Sequence, residues 1–215
     1  KRIDDGRYRY IERVKSSFPN QMRLDGLKVV IDCANGAGYR AAPEVLWELG
    51  AEVIPIGVSP DGRNINLNCG STSPRVAAET VVAHGADVAI CLDGDADRVL
   101  VIDEKGSQID GDQFLGMIGA RWFKEGKLAN ETLVSAVMSN MRLETFLNQE
   151  GITLVRTSVG DRYVVERMRL NGFNLGGEKS GHVVMMDYST TGDGLMAGLQ
   201  FLAEMIRKGE PASVV

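Results

Sequence analysis

Ala86-Asp87-Val88-Ala89-Ile90-Cys91-Leu92-Asp93-Gly94-Asp95-Ala96-Asp97-Arg98-Val99-Leu100-Val101-Ile102 decides how this chain is read. An apolar, β-prone run enters an acidic loop and a second such run leaves it, so the loop is a tight connection between two strands. Asp93, Asp95 and Asp97 stand at alternate positions, separated only by Gly94 and Ala96. On an extended loop the three carboxylates project toward one side and make a compact oxygen cage for a hard divalent cation, magnesium or calcium. Without a counter-charge they would repel, raise one another's pKa and weaken the fold. A cation removes that cost, and Arg98 offsets what remains while staying free to orient an anionic ligand. A plain solvated acidic turn is one competing reading. The other is an EF-hand, because Asp93, Asp95, Asp97 and Glu104 fall at positions one, three, five and twelve of that calcium loop. It fails because position six holds Arg98 where Gly is needed, and because the flanks alternate as strands rather than helices.

Working outward, the same order of elements occurs twice. Tyr8 to Phe18 is a helix with Ile11, Val14 and Phe18 on one face. Leu27 to Ile31 is an apolar strand, and Asn35-Gly36-Ala37-Gly38 is a small-residue turn. Pro43 opens a helix with Ala42, Val45, Leu46 and Leu49 on its face, which Gly50 closes. Ala51 to Ile56 is the next strand, and Ser73 and Pro74 cap and start a helix that ends near Gly85. In the second half Thr132 to Val137 is a strand, Ser139-Asn140 a turn, Leu143, Phe146 and Leu147 a helix face, and Ile152 to Val155 a strand. A helix through Val164, Val165 and Met168 follows, then Asn174 to Gly177, the polar loop Glu178-Lys179-Ser180-Gly181-His182, and the apolar run Val183 to Met186. Gly111-Asp112 and Gly192-Asp193 each open one further amphipathic helix, with Asp112 and Asp193 as N-caps.

A period of about 100 residues is too long for a solenoid. It reads as an internal duplication, two similar α/β domains over 1–105 and 106–215 that meet near Glu104 to Gln108. Each copy carries its most polar loop between its last two strands, so the two loops are expected to face one shared cleft. The Asn35-Gly36-Ala37-Gly38 turn lacks the Lys and Ser/Thr of a phosphate loop and the full spacing of a dinucleotide fingerprint, and reads as a close-packed strand-to-helix turn. Glu178, Ser180 and His182 alternate, so on an extended segment they share one face and Lys179 takes the other.

Bulk properties narrow the partners. The 215 residues are 44% apolar and 25% charged, with a net charge of −5 and scattered Lys and Arg, which argues against nucleic acid and anionic membranes and favours a small molecule. No apolar run approaches the roughly 20 residues of a membrane helix, and no signal peptide is visible. Cys33, Cys69 and Cys91 are odd in number without metal-ligand spacing, so reduced thiols and a cytoplasmic location are expected.

The acidic hexapeptide Asp93–Arg98, the later Gly176-Gly177-Glu178-Lys179-Ser180-Gly181-His182 and their separation resemble the α-D-phosphohexomutase superfamily, from about Gly6 to the C-terminus. Asn64-Ile65-Asn66, Cys69-Gly70-Ser71-Thr72 and Val159-Gly160-Asp161-Arg162-Tyr163 are most similar to its phosphoglucosamine mutase branch, although Lys179 stands where that branch usually has Gln and Ser73 where His is common. The resemblance implies two three-layer α/β/α domains with mixed four-stranded sheets, the second and third of a four-domain enzyme. It implies Mg2+ held by Asp93, Asp95 and Asp97, Arg98 beside the reacting phosphosugar, hexose hydroxyls bound by Glu178 and Ser180, and His182 as an acid or base near the transfer centre. Arg162 reaches toward substrate or is a solvated helix-start residue. The implied reaction interconverts glucosamine 6-phosphate and glucosamine 1-phosphate through a bisphosphate, with phosphomannomutase or phosphoglucomutase activity as the runner-up and a non-catalytic sugar-phosphate or metal-binding protein as the alternative from another class. A homodimer of the full-length enzyme stays open. The family's phosphoserine lies in a Ser-His-Asn-Pro loop of its first domain, which is not found here, so the 215 residues alone are expected to be inactive.

Overall fold

A computed structural model describes residues 5–215, and its first sheet grows from the strands that flank the acidic loop. The elements are α1 (Gly6–Lys15), β1 (Lys28–Asp32), α2 (Ala41–Glu48), β2 (Glu52–Ile56), α3 (Arg75–His84), β3 (Val88–Leu92), β4 (Val99–Asp103) and β5 (Gln108–Ile109). β1 pairs in parallel with β2 and β3, and β3 pairs antiparallel with β4, giving the order β2-β1-β3-β4-β5. All five residues of β3 are buried, as a central strand covered on both faces requires. On one face Ala77 and Val81 of α3 pack among Val30, Ala89, Cys91 and Ile102. The short β5 is an addition to the four strands expected. Asp103 closes the turn before it, its Oδ1 accepting from the Lys105 and Ser107 N–H groups, and returns Ile109 opposite Val101.

The second sheet repeats the plan with α4 (Gly111–Lys124), β6 (Thr132–Ala136), α5 (Met141–Gln149), β7 (Thr153–Thr157), α6 (Asp161–Asn171), β8 (Leu175–Gly177) and β9 (Val183–Met185). Its order is β7-β6-β8-β9, again parallel, parallel, then antiparallel. Val164 and Met168 of α6 cover Val134 and Val184 on one face. On the other, Gly119 of α4 lies over Leu133, where an added Cβ would come within 2.8 Å of Leu133 Cδ1. The duplication read from the sequence is therefore one topology used twice.

By packing, the chain divides into residues up to Ile109 with Gly194–Val215, and Asp110–Asp193. α7 (Gly194–Lys208) thus belongs with the first sheet, against β3 and β4, whereas the sequence reading counted it within 106–215. Gly198 permits the approach: a Cβ there would sit 2.9 Å from Ile90 Cγ2. The capping assignments at the two helix starts also change. The N-cap of α4 is Asp110, in extended conformation, whose Oδ1 accepts from the Asp112 N–H at 2.9 Å and which forms a capping box with Gln113. Asp112 lies inside the first turn, buried, with Oδ2 accepting from the Asn140 N–H at 2.7 Å. No side-chain cap precedes α3, where Pro74 takes the N-cap position.

All three cysteines are free and buried. Burial, and then the charge of Asp32, pushes the Cys33 thiol up to about 12 and raises those of Cys69 and Cys91. Since the thiolate is the nucleophile, Ellman's reagent at about pH 8 is expected to find none of these three reactive in the folded chain and all of them after denaturation. Rapid stoichiometric labelling of the native protein would contradict this packing.

Candidate metal centre and polar turn

The register Leu92↔Val99 leaves the six residues Asp93–Arg98 to reverse the chain between β3 and β4. The Ala96 N–H donates to Asp93 O at 3.1 Å, and Ala96 itself takes a left-handed φ of 63°. One oxygen from each of Asp93, Asp95 and Asp97 lies within 4.8 Å of the others. Oxygens on an octahedral magnesium are about 3.0 Å apart when adjacent and about 4.2 Å when opposite, so the set would have to draw inward to hold a hard cation. Burial grades across the trio: Asp93 is 1% exposed, Asp97 is half-buried and Asp95 is exposed.

Arg98 is less free than the sequence suggested. Its Nε donates to Asp93 Oδ2 at 2.8 Å and lies 3.5 Å from Asp97 Oδ1, while its backbone N–H donates to Asp93 Oδ1 at 3.1 Å. An incoming anion is left the two Nη groups of a side chain that is 43% exposed. Burial pulls the guanidinium pKa down, but the charge and hydrogen bond of Asp93 and the charges of Asp97 and Asp95 outweigh it, so Arg98 is held above its ordinary value. The Asn35-Gly36-Ala37-Gly38 turn packs against this loop: the Ala37 N–H donates to Gly94 O at 2.8 Å, and a Cβ on Gly36 would overlap that oxygen.

In the second unit the expected extended segment is a turn, which overturns the alternating geometry. Gly177 and Val183 are already paired, leaving five residues to reverse direction. The Gly181 N–H donates to Glu178 O at 3.0 Å and the Glu178 N–H to His182 O at 2.9 Å, with Gly181 at φ 86°, a conformation glycine adopts without strain. Lys179 and Ser180 therefore sit together at the exposed tip, with Lys179 Nζ 3.4 Å from Asp110 Oδ2. Glu178 Oε1 accepts from the Gly160 N–H at 2.8 Å, which places its carboxylate at the start of α6 beside Asp161 and Arg162. Arg162 is exposed, its guanidinium 5.9 Å from the Tyr163 ring centre. His182 is 3% exposed, and its ring lies so close to Gly192 that a Cβ there would overlap Nε2.

The structure thus brings Asp93, Asp95, Asp97 and Arg98 into one loop, and Glu178 and Arg162 to one helix start. It separates Ser180 from His182, one at the tip and one in the interior. Sequence reasoning missed Gly160 as the partner of Glu178, for which no local signal exists. It also missed Asp110, although Asp110 and Gln113 spell a capping box. Because Glu178 satisfies a backbone N–H, Glu178→Ala is expected to destabilise the chain by about 1–2 kcal/mol, while Ser180→Ala stays within about 0.5 kcal/mol. Urea denaturation checks this, and equal effects would contradict the assigned bond. No described helix is long and apolar enough to cross a membrane.

Two family models match the chain, described as phosphoglucomutase/phosphomannomutase alpha/beta/alpha domain II over residues 8–106 and domain III over 110–215. The phosphoglucosamine mutase of Ruegeria sp. (strain TM1040) is 72% identical over 213 residues, covering 99% of this chain and 48% of the relative. That of Roseobacter denitrificans is 71% identical over 215 residues, covering 100% of this chain and 48% of the relative. The chain spans about half the length of the curated relatives it matches. A crystal structure of a phosphoglucomutase/phosphomannomutase family protein from Burkholderia thailandensis has the same fold, with a TM-score of 0.84 at 24% identity, covering 97% of this chain and 45% of that one.

Proposed function

Since the chain belongs to the phosphoglucomutase/phosphomannomutase family, we propose that the full-length protein is a phosphoglucosamine mutase that interconverts glucosamine 6-phosphate and glucosamine 1-phosphate through a bisphosphorylated sugar. The observation that carries the substrate is the high identity to curated phosphoglucosamine mutases along the whole of this chain. The hard carboxylate set supports the cofactor: Asp93, Asp95 and Asp97 would hold magnesium. When bound, the ion supplies positive charge against the oxygens of the transferring phosphoryl group.

The protein's own residues do the rest by positioning and charge, which is most of what phosphoryl transfer asks of an enzyme. Asp93 anchors Arg98 through Nε and backbone N–H, which leaves the two Nη groups to meet a phosphate. Glu178 sets the first turn of α6, and with it the placement of Arg162, an exposed cation suited to an anionic sugar phosphate. Ser180 offers a hydroxyl at the turn tip for a sugar hydroxyl, while the ring of buried His182 packs against Gly192. The phosphoryl-carrying serine is assigned to another domain of the full-length protein, in the cytoplasm, so these 215 residues alone would bind without turnover.

The test is phosphorus NMR on the full-length protein given glucosamine, glucose and mannose 6-phosphates in turn with a bisphosphate activator. Glucosamine 6-phosphate is expected to convert with kcat/KM at least about tenfold above the others, to stop on chelation and to resume with magnesium. Faster turnover of mannose or glucose phosphate would move the assignment to those sugars. No turnover of any would favour a sugar-phosphate binder.

A further inference from the structure

Asp32 ends β1 as a fully buried carboxylate in an otherwise apolar strand interior. A buried charge persists only where something compensates it, and here the partners are two backbone amides rather than a cation. Oδ1 accepts from the Ala34 N–H at 2.9 Å and Oδ2 from the Gly70 N–H at 2.7 Å. Each segment so held in turn grips the acidic hairpin. The Ser71 N–H donates to Leu92 O at 2.9 Å, one residue before Asp93, and the Ala37 N–H donates to Gly94 O at 2.8 Å, one residue after it. The first segment is tied to the chain just before Gly70 as well: the Asn66 N–H donates to Ala34 O at 2.9 Å and Asn35 Nδ2 donates to Cys69 Sγ at 3.6 Å.

The backbone around this clamp is unusual. Ala34, Asn35 and Asn66 hold left-handed φ values of 53°, 50° and 57°. Residues with a Cβ stay there only where the surroundings over-determine them. Gly70, at φ 74°, passes so close that a Cβ would come 2.5 Å from both Leu92 O and Ala34 Cβ. Two segments therefore meet on one carboxylate, and each in turn holds a carbonyl beside the residue that opens the acidic loop.

We propose that Asp32 is a positioning residue for the metal centre: by locking the Ala34–Ala37 and Gly70–Ser71 segments onto Leu92 O and Gly94 O, it sets the spacing of the Asp93, Asp95 and Asp97 carboxylates. The inference rests on the reading of that loop as a metal site. Asn cannot substitute, because its NH2 group would face one of the two N–H donors.

The experiment compares Asp32→Asn with Val81→Ala in the full-length protein. Val81 is equally buried but packs in the core beneath α3. Manganese affinity is read by electron paramagnetic resonance, and stability by melting without metal. Both variants are expected to melt lower than wild type. Asp32→Asn is expected to bind manganese at least about tenfold more weakly, the range for residues that orient metal ligands, and Val81→Ala to bind it like wild type. Unchanged affinity in Asp32→Asn overturns the proposal, as does equal weakening in Val81→Ala. Failure of the wild type to bind manganese would instead remove the metal-site reading on which it rests. Amide exchange in the wild type covers the case where Asp32→Asn does not fold. Coupling is reciprocal, so saturating magnesium is expected to slow exchange at Ala37, Gly70 and Ser71, and unchanged exchange there overturns the clamp.

Discussion

Full-length protein carrying Asp95→Asn is expected to keep its fold and lose its metal, with magnesium affinity down by more than about 100-fold and most turnover gone. Residues that only orient ligands cost about 10–100-fold in affinity, so a direct carboxylate ligand should cost more. Asp95 is the cleanest member of the trio for this purpose. It is exposed, whereas Asp93 is 1% exposed and accepts two hydrogen bonds from Arg98. Replacing Asp93 would therefore confound metal loss with collapse of the loop, but Asp95→Asn falls among surface changes worth within about 0.5 kcal/mol of stability. Removing one of three crowded negative charges even relieves repulsion in the metal-free state. Calorimetric titration with magnesium, beside a melt without it, separates the two effects. Equal affinity in wild type and variant would refute the carboxylate cage.

Gly36→Ala is expected to have the largest effect on the metal-free fold, toward the upper end of the roughly 1–3 kcal/mol seen for overpacking. The new methyl would overlap Gly94 O and come 2.7 Å from Gly94 C and Cα, all backbone atoms pinned by the Ala37 N–H. Nothing there can rotate aside. Gly38→Ala is the contrast, because its Cβ would meet Leu92 Cδ1 at 2.9 Å, the end of a side chain that can shift. Chemical denaturation should therefore place Gly36→Ala clearly below Gly38→Ala, with magnesium affinity falling in step. The reverse order would mean that the turn does not brace the acidic loop.

Both variants concern the part of the molecule that was most legible in the sequence. The runs around Asp93–Arg98 are continuous and apolar because their strands are buried on both faces, and such runs survive translation into strands without knowledge of the rest. The duplication was legible for the same reason. What escaped was whatever depends on a partner distant in sequence. Residues 178–182 have the alternation of an extended strand, but pairing of Gly177 with Val183 forces them to turn. α7 reads as an amphipathic helix from its own residues, yet nothing local says that Gly198 will meet Ile90 of the first sheet. Asp110 and Asp112 both look like caps, and only the backbone conformation chooses between them. Asp32 ends an apolar strand as a buried carboxylate, and its partner Gly70 lies 38 residues away.

The site reading shifted accordingly. The acidic loop emerged with its three carboxylates together, because six residues between paired strands leave little room for anything else. The second loop emerged with its residues redistributed. Glu178 braces a helix start, Ser180 and Lys179 form the tip, and His182 is buried.

Anomalous diffraction from a crystal of the full-length protein soaked in manganese tests the central claim most directly. A single strong peak is expected within about 2.2 Å of an oxygen from each of Asp93, Asp95 and Asp97, and to vanish in Asp95→Asn. A peak seated elsewhere, with these three carboxylates bound only to Arg98 and solvent in an active enzyme, would contradict the account.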